Sequence, residues 1–447
     1  MHPWLDRRFH IQERGSTVGR EFRGAVATFL TMAYILFVNP GILAAAGIPF
    51  NAALAATALA AGLSCILMGL YGNFPLALAS GMGLNAIVAF TIAKAAGSWQ
   101  AAMGLVVLDG IIMLILVLLG MREAMMRAIP MDLRRAIGVG IGLFIAFIGA
   151  VNARLVTVAP GSFFVWRAFE NPLKGPALPP VQAGSLAHPE ALIALVGLIL
   201  ISVLLARKVQ GALIIGIIFC TVIALFLGVA KLPHEFTAPD FSTLGQADVW
   251  AVLKNPRLYP LLLALILVDF FDTLGTTTAI AEQGNLEDSA GEIPRLKQIL
   301  IVDSIAASIG GFCGASSVTS YIESAAGVAE GARTGLHSVF VGVFFLLAIF
   351  AAPLAGIVPA AATAPALIIV GFLMAGQIMR IDFTNLETGI PAFITLAMLP
   401  FTYSIPHGVG YGFITYVAIK VLIGKFKDVH PLMYGAATLF AAYFALG

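Results

Sequence analysis

Several carboxylates stand inside stretches that are otherwise apolar: Asp109, Asp269, Asp272, Glu282, Asp303 and Glu323. An Asp at the centre of a membrane-spanning helix costs about 2.5–3.5 kcal/mol on insertion scales, so such groups call for a function or a partner. Asp269 and Asp272 lie mid-way along 261–281, three residues apart and hence on one helix face. Two carboxylates so close repel, and groups coupled in this way titrate as a set, which suits proton-linked transport. Glu323 follows a polar run, and Glu282 closes the same apolar stretch that carries the aspartate pair. Asp109 and Asp303 fit equally well a structural task, tying helices together through Ser, Thr or backbone groups. Hydrolysis by paired aspartates is disfavoured, because such a dyad brings its carboxyls from facing elements. The 7 histidines form no HExxH, and Cys65, Cys220 and Cys313 form no CxxC, so neither a metal, a cofactor nor a disulfide set is expected.

The elements that must hold these groups follow from composition. The 447 residues are 60% apolar and only 11% charged, with mean hydropathy +0.98. At about 20 apolar residues per span, well over ten spans are available. A soluble domain carries about 25% charge. A soluble enzyme, a nucleic-acid binder and a disordered chain are therefore excluded. Apolar segments fall near 22–45, 52–71, 74–94, 99–120, 133–152, 190–207 and 210–230, then near 258–282, 296–312, 314–330, 335–353, 361–379, 387–402 and 406–424. A last stretch, 431–446, is short enough to lie along the interface. The arginine-rich start (Arg7, Arg8, Arg14, Arg20, Arg23) is too long and too charged for a cleaved signal. Fourteen spans with the N-terminus inside put 18 Lys and Arg on the cytoplasmic side and 7 outside, as the positive-inside rule requires. Seven spans per half give the second half inverted topology.

The halves also share a local signature. Gly69-x-x-Gly72 and Gly311-x-x-Gly314 stand 242 residues apart, and each precedes a stretch unfit for a spanning helix. The first, 73–85, carries Pro75, Gly81 and Gly83; the second, 315–323, is rich in Ser, Thr and Val. Extended backbone at membrane depth must be buried or line a cavity, and interrupted spans at matching positions of inverted halves point to a transport site. Half-helices beginning near 81–85 and 320–324 would aim positive ends at the midplane and at Glu323. The cavity is then acceptor-rich, with Asn85 its one side chain offering both donor and acceptor. Its natural ligand is a flat molecule rich in N–H groups.

The run Gly19-Arg20-Glu21-Phe22-Arg23-Gly24, with Thr28-Phe29-Leu30-Thr31-Met32-Ala33-Tyr34-Ile35 and Val38-Asn39-Pro40, resembles the opening of the nucleobase–cation symporter-2 family, specifically its AzgA-like adenine, guanine and hypoxanthine permeases. Gly81-Met82-Gly83-Leu84-Asn85-Ala86, Asp269-Phe270-Phe271-Asp272-Thr273-Leu274-Gly275-Thr276 and Thr319-Ser320-Tyr321-Ile322-Glu323-Ser324-Ala325-Ala326-Gly327 extend the resemblance over about residues 10–435. It implies an all-α polytopic membrane protein of fourteen segments in two inverted repeats, with short strands in the third and tenth. It further implies a core domain from 21–120 and 255–353, moving elevator-like against a gate domain from 131–230 and 360–425. By the same resemblance Asn85, Asp269 and Glu323 hold a purine, Asp272 supports binding or coupling, and Tyr321 lies against the base. Proton coupling falls to Asp269, Asp272 and Glu323, with Asp303, Thr273, Ser320 and Ser324 as polar support. Protons are the expected partner, ahead of sodium; a homodimer and a plasma-membrane location are implied too. Asp269 and Glu323 depart from the Glu and Gln of the uracil, xanthine and urate branches, which argues for the purine branch. No histidine lies near 269–275 to relay protons. Phe29, Phe270, Phe271 and Tyr321 are candidates to flank the ring. An anion such as sulfate or bicarbonate is the alternative cargo for the same architecture.

Overall fold

Long runs of Leu, Ile, Val, Ala and Phe can satisfy their own backbone in lipid only as helices, and helices dominate the chain. A computed structural model describes residues 3–120, 129–158, 181–230, 238–287, 293–351 and 357–446. Helices α1 (Pro3–Phe9), α2 (Val18–Met32), α3 (Ile35–Leu43) and α4 (Phe50–Leu67) precede strand β1 (Leu78–Ser80), and α5 (Met82–Ala86), α6 (Ala93–Ala96) and α7 (Trp99–Leu118) follow it. Next come α8 (Met131–Asn152), a hairpin of β2 (Val156–Val158) and β3 (Val181–Ala183), α9 (Pro189–Ala206) and α10 (Ala212–Phe226). Helices α11 (Val249–Leu253), α12 (Tyr259–Gly284) and α13 (Leu296–Cys313) lead into β4 (Val318–Ser320). The chain ends with α14 (Ser324–Ala329), α15 (Gly335–Ala348), α16 (Ala360–Ala375), α17 (Leu386–Phe401), α18 (Ile405–Leu422) and α19 (Pro431–Leu446). Among the described residues, 7 helical stretches are long and apolar enough to cross a bilayer.

Two sets of helices pack within themselves. Helix α13 lies on α7 and α4, α15 on α4 and α2, and α14 on α2. In the other set α8 packs on α16 and α17, α17 on α18, and α9 and α10 on α16. Glycines allow the closest crossings. A Cβ at Gly342 of α15 would stand 2.6 Å from the Gly62 carbonyl oxygen of α4, and one at Gly62 3.0 Å from that of Gly342. Small residues that let backbones approach are the usual adhesive between helices in lipid.

The chain departs from uninterrupted spans where the sequence turns polar or glycine-rich. Strands β1 and β4 pair antiparallel with Leu78 opposite Ser320, Ala79 opposite Thr319 and Ser80 opposite Val318. The ladder extends through Gly81 N to Ser317 O and Tyr321 N to Ala77 O, both 2.9 Å. Two strands alone leave outer backbone groups unpaired, which is costly when buried. Side chains supply the partners. Cys65 Sγ meets both Leu78 N and O at 3.1 Å, Ser324 Oγ accepts from Ala77 N at 2.9 Å, and Ser338 Oγ accepts from Leu76 N at 3.0 Å. The segment expected at 22–45 is likewise two helices, parted at Ala33–Tyr34. The β2–β3 hairpin was not anticipated, since nothing in 152–190 carries a clear alternation.

The N-terminal tail docks on the loop before α15. Arg14 donates to the carbonyls of Asn73 (2.8 Å) and Arg333 (3.2 Å), and Glu21 accepts from Arg333 N at 2.9 Å. Burial, and then the neighbouring Arg295 charge, lower the Arg14 pKa. Of the orienting charges, Arg122, Arg127, Arg167, Lys174 and Lys231 lie outside the described residues.

Candidate functional site

Helix α12 supplies Asp269, Asp272 and Thr273, and the paired strands bring the rest. Asp269 is 1% exposed; its Oδ2 accepts from Ser317 Oγ at 3.0 Å, while Oδ1 has no hydrogen-bond partner among the described residues. Thr273 Oγ1 donates to Asp303 Oδ2 at 2.6 Å and lies 2.9 Å from Thr319 Oγ1. A hydroxyl has one hydrogen, so Thr319 is the donor in the second contact. Ser320 Oγ donates to the other Asp303 oxygen at 2.9 Å. Asp303 thus has both oxygens engaged and fastens α12 to β4 from α13.

Asn85 sits in the first turn of α5, fully buried. Its Oδ1 accepts from Ser80 Oγ at 2.8 Å, and its Nδ2 has no partner among the described residues. Tyr321 donates its hydroxyl to the Ser80 carbonyl at 2.5 Å, bracing the strands. Ser324 Oγ donates to the Tyr321 carbonyl at 2.7 Å, so Ser320 and Ser324 serve as framework. Glu323 is half-buried just before α14, and its Oε1 accepts from Tyr34 Oη at 2.7 Å. Of these acids Asp272 alone is exposed. Cavities of about 290 Å³ (Pro49, Phe50, Asn51, Asp240, Val358) and about 410 Å³ (Arg14, Phe74, Gly284, Asn285, Leu286, Pro294, Arg333) lie near opposite ends of α4, away from the carboxylates.

Asp109 departs from the structural task weighed for it. It is fully buried on α7, and neither carboxyl oxygen meets Ser, Thr or backbone donors among the described residues. Phe29 packs on Phe344 and Phe345 (centroids 5.6 and 5.1 Å), a core arrangement rather than a ring clamp. Phe270 is buried, and the side chains of Phe271 and Glu282 lie outside the described residues. Tyr34 had no sequence signal beyond its motif, because its partner lies 289 positions away.

Buried acceptor and donor groups without partners among the described residues thus stand at the paired strands, and the chain's relatives are carriers. Residues 19–411 match the profile of Xan_ur_permease, a permease family of nucleobase–cation symporter-2 type. The chain belongs to this family. This permease is 39% identical to the adenine permease AdeP of Escherichia coli K12, over 98% of the chain and 95% of AdeP. It is also 39% identical to the guanine/hypoxanthine permease PbuG of Bacillus subtilis 168, over 98% of both. In fold the permease resembles the transmembrane domain of the cyanobacterial bicarbonate transporter BicA, with TM-score 0.65 and 17% identity over 88% of this chain and 96% of that one. It is a multi-pass membrane permease and not an enzyme, which removes the hydrolase reading.

Proposed function

We propose that this permease imports purine nucleobases (adenine, guanine or hypoxanthine) across the plasma membrane by proton symport. The observation that carries the reading is that, of the buried polar atoms without a partner among the described residues, an acceptor on α12 (Asp269 Oδ1) and an amide donor at the start of α5 (Asn85 Nδ2) both belong to residues bonded to the paired-strand region. Each such atom costs about 1–3 kcal/mol until a ligand satisfies it. A purine offers ring N–H groups to the carboxylate and ring acceptors to the amide, and hydrogen bonds to charge are about twice as strong as neutral ones. Glu323 and Asp272 add acceptors, and Tyr321 stands beside them. The names of AdeP and PbuG support the same cargo. BicA favours an anion by name, but at 17% identity its likeness speaks to fold alone, and acidic groups oppose an anion.

Fourteen segments in two inverted repeats are supported by the antiparallel meeting of two interrupted spans. The two packing sets support a core (21–120 and 255–353) that moves elevator-like against a gate (131–230 and 360–425). A cytoplasmic N-terminus rests on the 18-to-7 charge split, and Arg14 sits with Arg333 on that face. The test is competition against labelled hypoxanthine by adenine, guanine, xanthine, uracil and bicarbonate, with and without a protonophore. Competition by bicarbonate but by no purine sinks the reading; uptake indifferent to the protonophore removes proton coupling alone.

Two variants probe the rim of the site. Asp272→Asn lowers transport far more than binding, since Asp272 is exposed and has no hydrogen-bonding partner among the described residues to hold it. Equal losses in uptake rate and in thermal stabilisation by substrate would contradict this. Tyr34→Phe keeps the ring but removes the donor to Glu323. A hydrogen bond to a charged group is worth about 1.5–3 kcal/mol, so affinity falls roughly ten- to hundredfold. Unchanged substrate affinity in Tyr34→Phe would show that the hydroxyl does not position Glu323.

A further inference from the structure

Two buried asparagines stand beside the paired strands, and their neighbours constrain them differently. Asn39 on α3 donates through Nδ2 to Thr57 Oγ1 at 2.8 Å and to the Ala315 carbonyl at 3.0 Å. A carbonyl only accepts, and the single hydrogen of Thr57 goes to the Ala53 carbonyl at 2.6 Å. Both neighbours therefore require the N–H end of Asn39, and its amide has one orientation.

Asn85 is not constrained in this way. Among the described residues its amide has one partner, Ser80 Oγ, which lies 2.8 Å from Oδ1. Ser80 also touches a second acceptor, the Ala315 carbonyl. One hydrogen cannot serve both, so two arrangements exist. In the first, Ser80 donates to Asn85 Oδ1, and Asn85 presents Nδ2 as a free donor. The Ala315 carbonyl then keeps the hydrogen bond from Asn39. In the second, Ser80 donates to the Ala315 carbonyl, whose second lone pair is open to it, and accepts from Asn85 Nδ2. Asn85 now presents Oδ1 as a free acceptor. The framework groups are satisfied either way, and the exchange asks only that an amide and a hydroxyl turn. The strand itself stays in place, held by its pairing with β4 and by Tyr321 Oη donating to the Ser80 carbonyl at 2.5 Å. Ser80 and Asn85 are both fully buried, so the presented atom is left to a ligand.

We infer that Ser80 determines specificity: its rotating hydroxyl lets Asn85 present a donor to 6-oxopurines and an acceptor to 6-aminopurines in one site. The inference rests on the purine reading and deepens it by naming what widens the cargo range. Hypoxanthine and guanine carry an oxygen at C6, which only accepts. Adenine carries an amine there, which donates. A fixed donor or a fixed acceptor would serve one class and leave buried polar atoms unpaired against the other, a penalty of roughly ten- to hundredfold in affinity. Ser80 does not touch the substrate and acts through Asn85.

The experiment titrates the purified full chain calorimetrically with hypoxanthine, adenine and purine itself, which has no group at C6. Wild-type protein is expected to bind hypoxanthine and adenine within about tenfold of each other, the spread of one neutral hydrogen bond. Asn85→Leu can neither donate nor accept; it weakens both by roughly ten- to hundredfold and leaves purine nearly unchanged. Ser80→Ala weakens both by about three- to tenfold, because the amide is no longer held in either orientation. In the Asn85→Leu background Ser80→Ala has no further effect, whereas a merely structural serine would subtract again. Wild-type protein that binds one class alone overturns the proposal and leaves the purine reading standing. So does a loss confined to one class in either variant, a loss of purine in step with the other two in Asn85→Leu, or full additivity in the double variant. Should Ser80→Ala not fold, the pattern of Asn85→Leu across the three ligands decides. Wild-type protein that binds none of the three sinks the purine reading and this inference with it.

Discussion

Asp269→Asn abolishes uptake while the protein still folds and inserts. The substitution keeps the side-chain shape and leaves an amide oxygen to accept from Ser317, now 3.0 Å from Asp269 Oδ2. The local framework at β4 therefore survives. What changes is the free edge. Oδ1, the oxygen without a partner, is replaced by a donor or by a neutral acceptor. An amide N–H facing a purine N–H sets donor against donor. Losing a hydrogen bond to a charged group costs about 1.5–3 kcal/mol, and leaving a buried donor unsatisfied about 1–3 kcal/mol more. At 1.4 kcal/mol per factor of ten, affinity falls by roughly two to four orders of magnitude. Initial rates of labelled hypoxanthine uptake, normalised to membrane abundance, measure the effect, and thermal unfolding checks the fold. Normal uptake kinetics in Asp269→Asn would remove this residue from the site. Glu323→Gln follows the same logic with a smaller loss, because an amide can still accept from Tyr34.

Gly310→Val collapses the site from a distance. Helix α13 ends at Cys313, with Gly314 left-handed at φ +85° and Ala315 N donating back to Gly310 O at 2.8 Å. The chain then doubles back so that β4 lies across the last turn of α13. A Cβ on Gly310 would run into the Ser316 carbonyl, and would stand 2.9 Å from Val318 Cγ2 and 3.0 Å from Val318 N. Backbone cannot move aside as a flexible side chain can. Ordinary overpacking costs about 1–3 kcal/mol, and a branched residue pressed on backbone belongs at or beyond the upper end. Moving β4 also releases Ser317 from Asp269 and Ser320 from Asp303. The expected result is low membrane abundance, a lowered unfolding temperature for Gly310→Ala, and no substrate-induced stabilisation in either variant. Wild-type stability of Gly310→Val would mean that β4 does not depend on this close approach.

The parts of the site legible in the sequence were those where local chemistry conflicts with the membrane. Asp269, Asp272 and Glu323 stand out because charge in an apolar run is costly. The stretches 73–85 and 315–323 stand out because Pro, Gly and hydroxyl residues disfavour helix, and each holds a short strand, β1 in the first and β4 in the second. Thr273, Ser320 and Ser324 were nameable as polar neighbours, but not the bonds they make. Tyr34 was hidden because a tyrosine in an apolar helix is unremarkable until its partner, 289 residues away, is known. Asp109 was visible as an oddity yet indistinguishable from Asp303, since both are lone aspartates in apolar runs.

By itself the sequence determined that this is a polytopic membrane permease, where its helices break, and which acids must answer for their burial. These follow from composition and short-range pattern, which act through the local free energy of chain in lipid. The tertiary structure decided the register of Leu78 on Ser320, the satisfaction of Asp303 and the contact of Tyr34 with Glu323. Such outcomes depend on which of many chemically equivalent serines and aspartates meet across the packed interior. That choice is made by the helices' shapes and glycine contacts acting together, and no stretch of the chain encodes it alone.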